Sequence, residues 1–182
     1  MPSIYLSPSL QEFNPYIGGG NEEYYMNLIA DAMMPYLIAS GIEVVRNNPN
    51  SSLAQTIAES NAGNFDLHFA IHSNASPEYL SGTMQGSDFY YYAYSPESQR
   101  AADIFAENMK LIYPNPNLVK TVPTTTLAEL RNTKAPAVLA ETAYHDNYFD
   151  AQWMRDNIEL IASNYSVSVT EFLGVPFVNP YY

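Results

Sequence analysis

The 182-residue chain contains no cysteine. That excludes a disulfide framework and any thiolate metal centre, so a bound zinc ion would have to use imidazole, carboxylate or amide donors. Cations are scarce. Seven Lys and Arg stand against 19 Asp and Glu, and the formal net charge of −12 argues against nucleic acid or an anionic membrane surface as partner. No run is long and apolar enough to suggest a membrane-spanning helix. Histidine is also rare: there are three, at 68, 72 and 145, and none before them. No signal peptide is visible ahead of the first predicted strand, so export would need a removed leader or another route.

What is present describes a globular chain. A hydrophobic fraction of 47% and a charged fraction of 14% suit one domain with a sizeable core, spanning 1–182. Sixteen tyrosines supply flat apolar area with a polar tip, useful in a carbohydrate or peptide cleft and equally in ordinary packing.

Strand and helix signals alternate along the chain. Ser3 to Leu6 predicts a first strand, stopped by Ser-Pro-Ser, and the Asn-, Pro- and Gly-rich 11–20 predicts a loop. Asn21 is a good N-cap for a helix with Glu22 and Glu23 in its first turn. Met26, Ile29, Ala30, Met33 and Leu37 keep helical spacing, Gly41 ends the run, and Pro35 should distort it near its end. Glu43 to Arg46 predicts a strand, 50–62 a helix, and Leu67 to Ile71 a buried strand. Ser87 to Tyr94 is β-prone, and Ser95 opens a further helix. The region 113–126 predicts a cleft-lining loop, Leu127 to Arg131 an edge strand, and Ala137 to Ala140 a short buried strand. One long helix is expected from Asp150 to Leu173, with a packed tail over 174–182. The alternation predicts a single α/β domain: a mostly parallel twisted sheet flanked by helices on both faces, its core over about 4–173.

In such a sheet ligands collect at the carboxyl ends of strands. Asp66-Leu-His-Phe-Ala-Ile-His-Ser-Asn-Ala-Ser76 runs a buried strand into a polar tip there. His72 stands at that tip as a candidate metal ligand or base. His68 shares its face, because side chains two and four apart along a strand point the same way. Glu141 follows an apolar strand directly, where a carboxylate is costly to bury without a purpose. Glu23, at a helix start after the first strand's loop, completes the set of acid or imidazole groups at this rim.

Three segments together resemble the catalytic domain of zinc-dependent N-acetylmuramoyl-L-alanine amidases of the Amidase_3 type. They are Glu23-Tyr-Tyr-Met-Asn-Leu-Ile-Ala-Asp, the stretch around Ile-His-Ser-Asn-Ala, and Arg131 to Asn147 with Thr133-Lys-Ala-Pro-Ala-Val-Leu-Ala-Glu141 inside it. The resemblance implies zinc as cofactor, with Glu23 and His72 as ligands and Glu141 as the catalytic carboxylate. It also implies substrate contacts from Asn74, Arg131, His145 and Asn147. Such enzymes cleave the amide between N-acetylmuramic acid and the L-alanine of the stem peptide, which implies peptidoglycan or muropeptides as partner. A monomer outside the cell or in its wall is expected. One place departs from the pattern: the family's first ligand is a histidine after the first strand, and here that place reads Ser7-Pro8-Ser9-Leu10-Gln11. Gln11 is the nearest replacement, with His68 and His145 as alternatives. The rival reading is a catalytically silent peptidoglycan-binding module with an incomplete metal site.

Overall fold

A computed structural model describes residues 1–182. Six strands form one sheet in the order β2-β1-β3-β6-β4-β5. They are β1 (Ser3–Pro8), β2 (Glu43–Arg46), β3 (Leu67–Asn74), β4 (Ser87–Tyr92), β5 (Val119–Thr124) and β6 (Ala137–Tyr144). All neighbours pair in parallel except β4 with β6. The helices are α1 (Glu22–Ala39), α2 (Leu53–Ala62), α3 (Pro96–Met109), α4 (Ala128–Arg131), α5 (Tyr148–Asp156) and α6 (Ile158–Leu173).

The two faces of the sheet differ in character, following the period-2 alternation of its strands. On one face Ile4 and Leu6 of β1, Phe69 and Ile71 of β3, Phe89 of β4 and Val138 and Ala140 of β6 join α1, α3 and α6 in the main core. Its centre is aromatic: the Phe69 ring lies 4.4 Å from Phe105 and 5.0 Å from Tyr165. On the other face a small cluster of Ala70, Leu130, Ala137 and Leu139 packs beneath α4. His68, His72 and Glu141 continue the same alternation onto that second face, so the strands aim their polar groups away from the core.

Four local expectations are corrected. The region 113–126 is not all loop: it contains β5, and Pro123 is tolerated there because β5 is the outer strand, where no ladder donor is missed. Leu127–Arg131 is not an edge strand but the single-turn α4. The expected 150–173 helix is two, α5 and α6, parted at Asn157, whose side-chain amide donates to the Trp153 carbonyl at 2.8 Å and competes with the helical ladder. Pro35 lies inside α1 without interrupting it. The tail after Gly174 lies on the end of α1: Phe177 and Tyr181 rings stand 5.8 and 5.6 Å from Tyr36, and the Val178 N–H donates to Ser40 Oγ.

Candidate active site

The polar rim is built from neighbouring strand ends. His72 of β3 stands in register with Glu141 of β6, and Glu141 with Asp88 of β4. Opposite residues on adjacent strands are within side-chain reach, so one imidazole and two carboxylates form a row. The β3–β6 register slips between His72 and Asn74, a bulge that ends regular pairing at the tip. Beside the row opens a cavity of about 420 Å³, lined among others by Ser9, Gln11, Phe13, Leu53, His72 and Glu141. That volume lies in the range of small-ligand sites.

Glu22 reaches this row from the first residue of α1. Its Oε1 accepts from His72 Nδ1 at 2.8 Å and its Oε2 from Asn14 Nδ2 at 2.6 Å. Gln11, in the loop after β1, brings its amide nitrogen to 3.3 Å from the same His72 Nδ1, while its oxygen accepts from Asn14. Gly20 lets the loop close onto α1: its φ is +81°, and a Cβ there would come within 2.5 Å of the Tyr25 ring.

On the far side of the imidazole lies Glu129, from α4. Its Oε2 is 3.9 Å from His72 Nε2. Its Oε1 accepts from the Ser7 hydroxyl and lies 2.9 Å from His68 Nε2, and His68 Nδ1 is 2.9 Å from Ser60 Oγ of α2. All four members of this chain are buried.

The electrostatics follow from burial and proximity. Burial alone would lower the pKa of His72, but its hydrogen bond to Glu22 and the charges of Glu141, Glu22 and Glu129 outweigh it and raise it to about 9. For Glu22 and Glu129, burial acts upward, yet their histidine partners hold both below the ordinary carboxylate value. Glu141 has no such partner. Burial dominates, His72 opposes it, Glu22 and Asp88 reinforce it, and the result is about 7. Its Oε2 is buried without any hydrogen bond, as is Oδ1 of Asp88. A buried carboxylate oxygen left unpaired is costly and marks a group kept for something that is not part of the fold.

The sequence-predicted residues divide accordingly. His72, Glu141 and Gln11 come together at one rim. Glu23 does not: it is half-buried one residue round the helix, and Glu22 holds the place expected of it. The four expected substrate contacts do not line the cavity. Asn74 caps its own turn through Ala75 N–H, and Arg131 is exposed beside Asn132. His145 is buried, stacked 5.3 Å from Tyr16 and bonded through Nδ1 to Ser73. Asn147 is the N-cap of α5, accepting from Phe149 and Asp150 N–H. Asn147 spends its whole amide inside the fold, its nitrogen donating to the Gly82 carbonyl, and His145 commits Nδ1 to Ser73 and its ring face to Tyr16. His68, also weighed as a third ligand, is likewise fully engaged by Ser60 and Glu129. Glu22, Asp88 and Glu129 escaped sequence reasoning. Glu22 was within reach of it: counting back four from Met26 along the buried stripe arrives at 22, not 23.

No three His, Asp or Glu side chains form a set for one ion, so any cation here would draw on an amide. The donor chemistry allows that. Four donors held tetrahedrally at about 2.0–2.1 Å from a zinc ion stand about 3.3 Å apart. Only the Glu22–His72 pair, at 2.8 Å, comes near that edge; the Gln11 amide presents its nitrogen there, and its oxygen, the donor a metal would need, accepts from Asn14. The proton between Glu22 and His72 occupies a place that a divalent cation suits.

A mostly parallel α/β sheet carrying an acid–imidazole row at its rim is the frame of the site, and comparison supplies the family. The family model for N-acetylmuramoyl-L-alanine amidases, Amidase_3, matches residues 13–171, and the chain belongs to that family. Among solved structures, it is similar to the N-acetylmuramoyl-L-alanine amidase AmiC2 of Nostoc punctiforme, with a TM-score of 0.82, 17% identity, and 95% of this chain and 97% of that one covered. The catalytic domain of CwlV, an N-acetylmuramoyl-L-alanine amidase from Bacillus (Paenibacillus) polymyxa, gives 0.82 at 19% identity over 97% and 100%. Cwp6 from Clostridium difficile gives 0.83 at 22% identity over 94% of this chain and 29% of that one. No curated protein matches the chain in sequence. At these identities the structural likeness establishes the fold.

Proposed function

We propose that this chain is a zinc-dependent amidase that releases stem peptides from peptidoglycan by hydrolysing the amide between N-acetylmuramic acid and L-alanine. The observation that carries the reading is Glu141: a buried carboxylate with a free oxygen, in register with His72, on the rim of a cavity of substrate size. Glu22, His72 and the Gln11 amide would hold the zinc. When bound, that ion polarises a carbonyl and lowers the pKa of a coordinated water. The chain's own residues do the rest. The Glu141 carboxylate takes the proton of the attacking water and delivers it to the leaving L-alanine nitrogen. A value near 7 suits a group that must both accept and return a proton at neutral pH. Leu10, Phe13 and Leu53 give the cavity beside it an apolar wall.

The test is digestion of purified peptidoglycan with wild-type protein and with Glu141→Gln, with and without added zinc, reading new L-alanine N-termini by mass spectrometry. Wild type should release peptides in a zinc-dependent way. Glu141→Gln should lose roughly 10²–10⁴-fold in rate, the usual contribution of a positioned acid–base group, while keeping fold and metal. Wild-type protein that takes up zinc and binds wall fragments but releases nothing is the outcome that establishes the silent binding module instead.

A further inference from the structure

The cavity beside Glu141 has a second wall that the amidase reading leaves unused. Ser51, Ser52, Leu53 and Thr56 line it, so the start of the ten-residue α2 borders the same space as His72 and Glu141. Ser52 and Gln55 close part of that helix end as a capping box: the Gln55 N–H donates to Ser52 Oγ, and the Ser52 N–H to Gln55 Oε1. The N–H groups of Leu53 and Ala54 have no partner in the protein, and no acidic side chain lies in this first turn. Thr56 completes the wall. Five hydroxyl side chains line the cavity, and four are engaged: Ser7 donates to Glu129, Ser51 to Glu59, and Ser9 and Ser52 accept from the Gln11 and Gln55 N–H groups. Thr56 is 1% exposed, and its Oγ1 has no partner. A helical threonine commonly gives its proton to a carbonyl in the preceding turn, and this one does not. A buried hydroxyl left unpaired costs stability, and a ligand that completes it removes the cost.

We propose that the start of α2 is a subsite for a neutral amide carbonyl, with the Thr56 hydroxyl as its buried donor and the Leu53 and Ala54 N–H groups as further donors at its exposed edge. All three groups offer protons, so the ligand atom is an acceptor. Its charge follows from the neighbours. The carboxylates of Glu129 and Glu141 line the same cavity, no Lys or Arg does, and His72 is balanced by Glu22. A helix end carries only about half an elementary positive charge, which does not offset two carboxylates, so an anionic guest is the poorer one. Leu10, Phe13 and Leu53 supply apolar area for the substituent on the carbonyl. The proposal rests on the amidase reading for the choice of fragment alone: N-acetylmuramoyl peptides offer such a carbonyl in the sugar's acetamido group and in the stem-peptide amides.

The experiment titrates the full chain with N-acetylmuramoyl-L-alanine methylamide by calorimetry, in a Glu141→Gln background so that the fragment is not consumed, and records the thermal midpoint of each ligand-free variant. Thr56→Val keeps the shape and removes the hydroxyl. It should bind about 3–10-fold more weakly, the size of one net hydrogen bond, while its midpoint stays level or rises because an unpaired buried polar atom is gone. Thr56→Ser keeps the hydroxyl and should bind within about twofold of the parent. Binding by Thr56→Val within that same margin overturns the proposal, and so does a Thr56→Ser that loses as much as Thr56→Val. Two further fragments locate the carbonyl: the sugar with a hydroxyl in place of its acetamido group, and D-lactyl-L-alanine methylamide without the sugar. The fragment that is insensitive to Thr56→Val lacks the bound carbonyl, and either assignment supports the subsite. Tighter binding of N-acetylmuramoyl-L-alanine with its carboxylate free, by a margin that Thr56→Val erases, overturns the neutral ligand. If no wall fragment binds, the amidase reading fails separately, and N-methylacetamide decides the subsite through the Leu53 and Ala54 amide resonances. Resonances that move in the parent and not in Thr56→Val support it; resonances unmoved in the parent, or moved equally in both, overturn it.

Discussion

At the scale of single residues, the distinction between Glu22 and Glu23 is the sharpest. The two are adjacent in sequence and both lie in the first turn of α1, where carboxylates suit the helix dipole. Only Glu22 falls on the stripe that also buries Met26, Ile29 and Met33, and so only Glu22 arrives at His72. Glu22→Gln should lower zinc retention measured by elemental analysis after dialysis, whereas Glu23→Gln should match wild type. The reverse pattern would sink the assignment. The substitution at Glu141 separates roles in a different way. No Lys or Arg pairs with it: Lys134 turns to the Asn61 carbonyl and Arg131 to Asn132, so the expected loss is in turnover and not in folding.

At the scale of elements, the loop after β1 and the bulged end of β3 decide how good the site is. Gln11 sits where an imidazole would be the stronger donor for a first-row divalent ion, so Gln11→His should tighten zinc binding measured by competition with a chromophoric chelator. Unchanged affinity would show that the loop cannot bring residue 11 to the ion. The segment between β3 and β4 is held by Asp146, which accepts from the N–H groups of Gly82 at 2.8 Å and Ser76 at 3.1 Å. Burial pushes the Asp146 carboxyl upward, but these hydrogen bonds outweigh it and hold its pKa below the ordinary aspartate value. A depressed carboxylate contributes stability above its unfolded value, and the contribution is lost as pH falls through the folded one. Asp146→Asn should therefore cost up to about 1.5–3 kcal/mol at neutral pH, the range for a hydrogen bond to a charged group, less what solvent screens at this partly exposed site. The difference from wild type in denaturant melts should shrink as pH drops below 3.8.

At the scale of the whole molecule, charge is the main property. The chain carries −12 overall, and the cavity beside Glu141 is lined by no Lys or Arg. An anionic wall fragment therefore approaches against repulsion. Between roughly 0.01 and 0.15 M salt the Debye length falls from about 30 to about 8 Å, which screens that repulsion. KM for fragments with free side-chain carboxylates should fall over this range, while KM for the amidated equivalents should stay level. A KM that rises with salt for the acidic fragments would mean that cations outside the cavity steer them. No helix is long and apolar enough to cross a membrane.

Local patterning by itself determined the sheet's architecture and most of its elements. The alternation of strand and helix signals needed only local propensity and period, and β1, α1, β2 and the buried β3 and β6 runs are legible for that reason. His72 and Glu141 were legible too, because a polar residue directly after a buried strand has few bland explanations. The tertiary structure alone decided the pairings. That β6 lies between β3 and β4, with β4 reversed, is a long-range choice that no local period encodes, and it is what sets His72, Glu141 and Asp88 side by side. The same holds for Glu129: 61 residues from His68 in sequence, it meets that histidine only because α4 folds over the second face of the sheet. His145 and Asn147 were misread for the converse reason. Their spacing after Glu141 matched a functional pattern, but whether a polar side chain faces a cleft or is consumed by a cap and a stack is settled by packing, not by position along the chain.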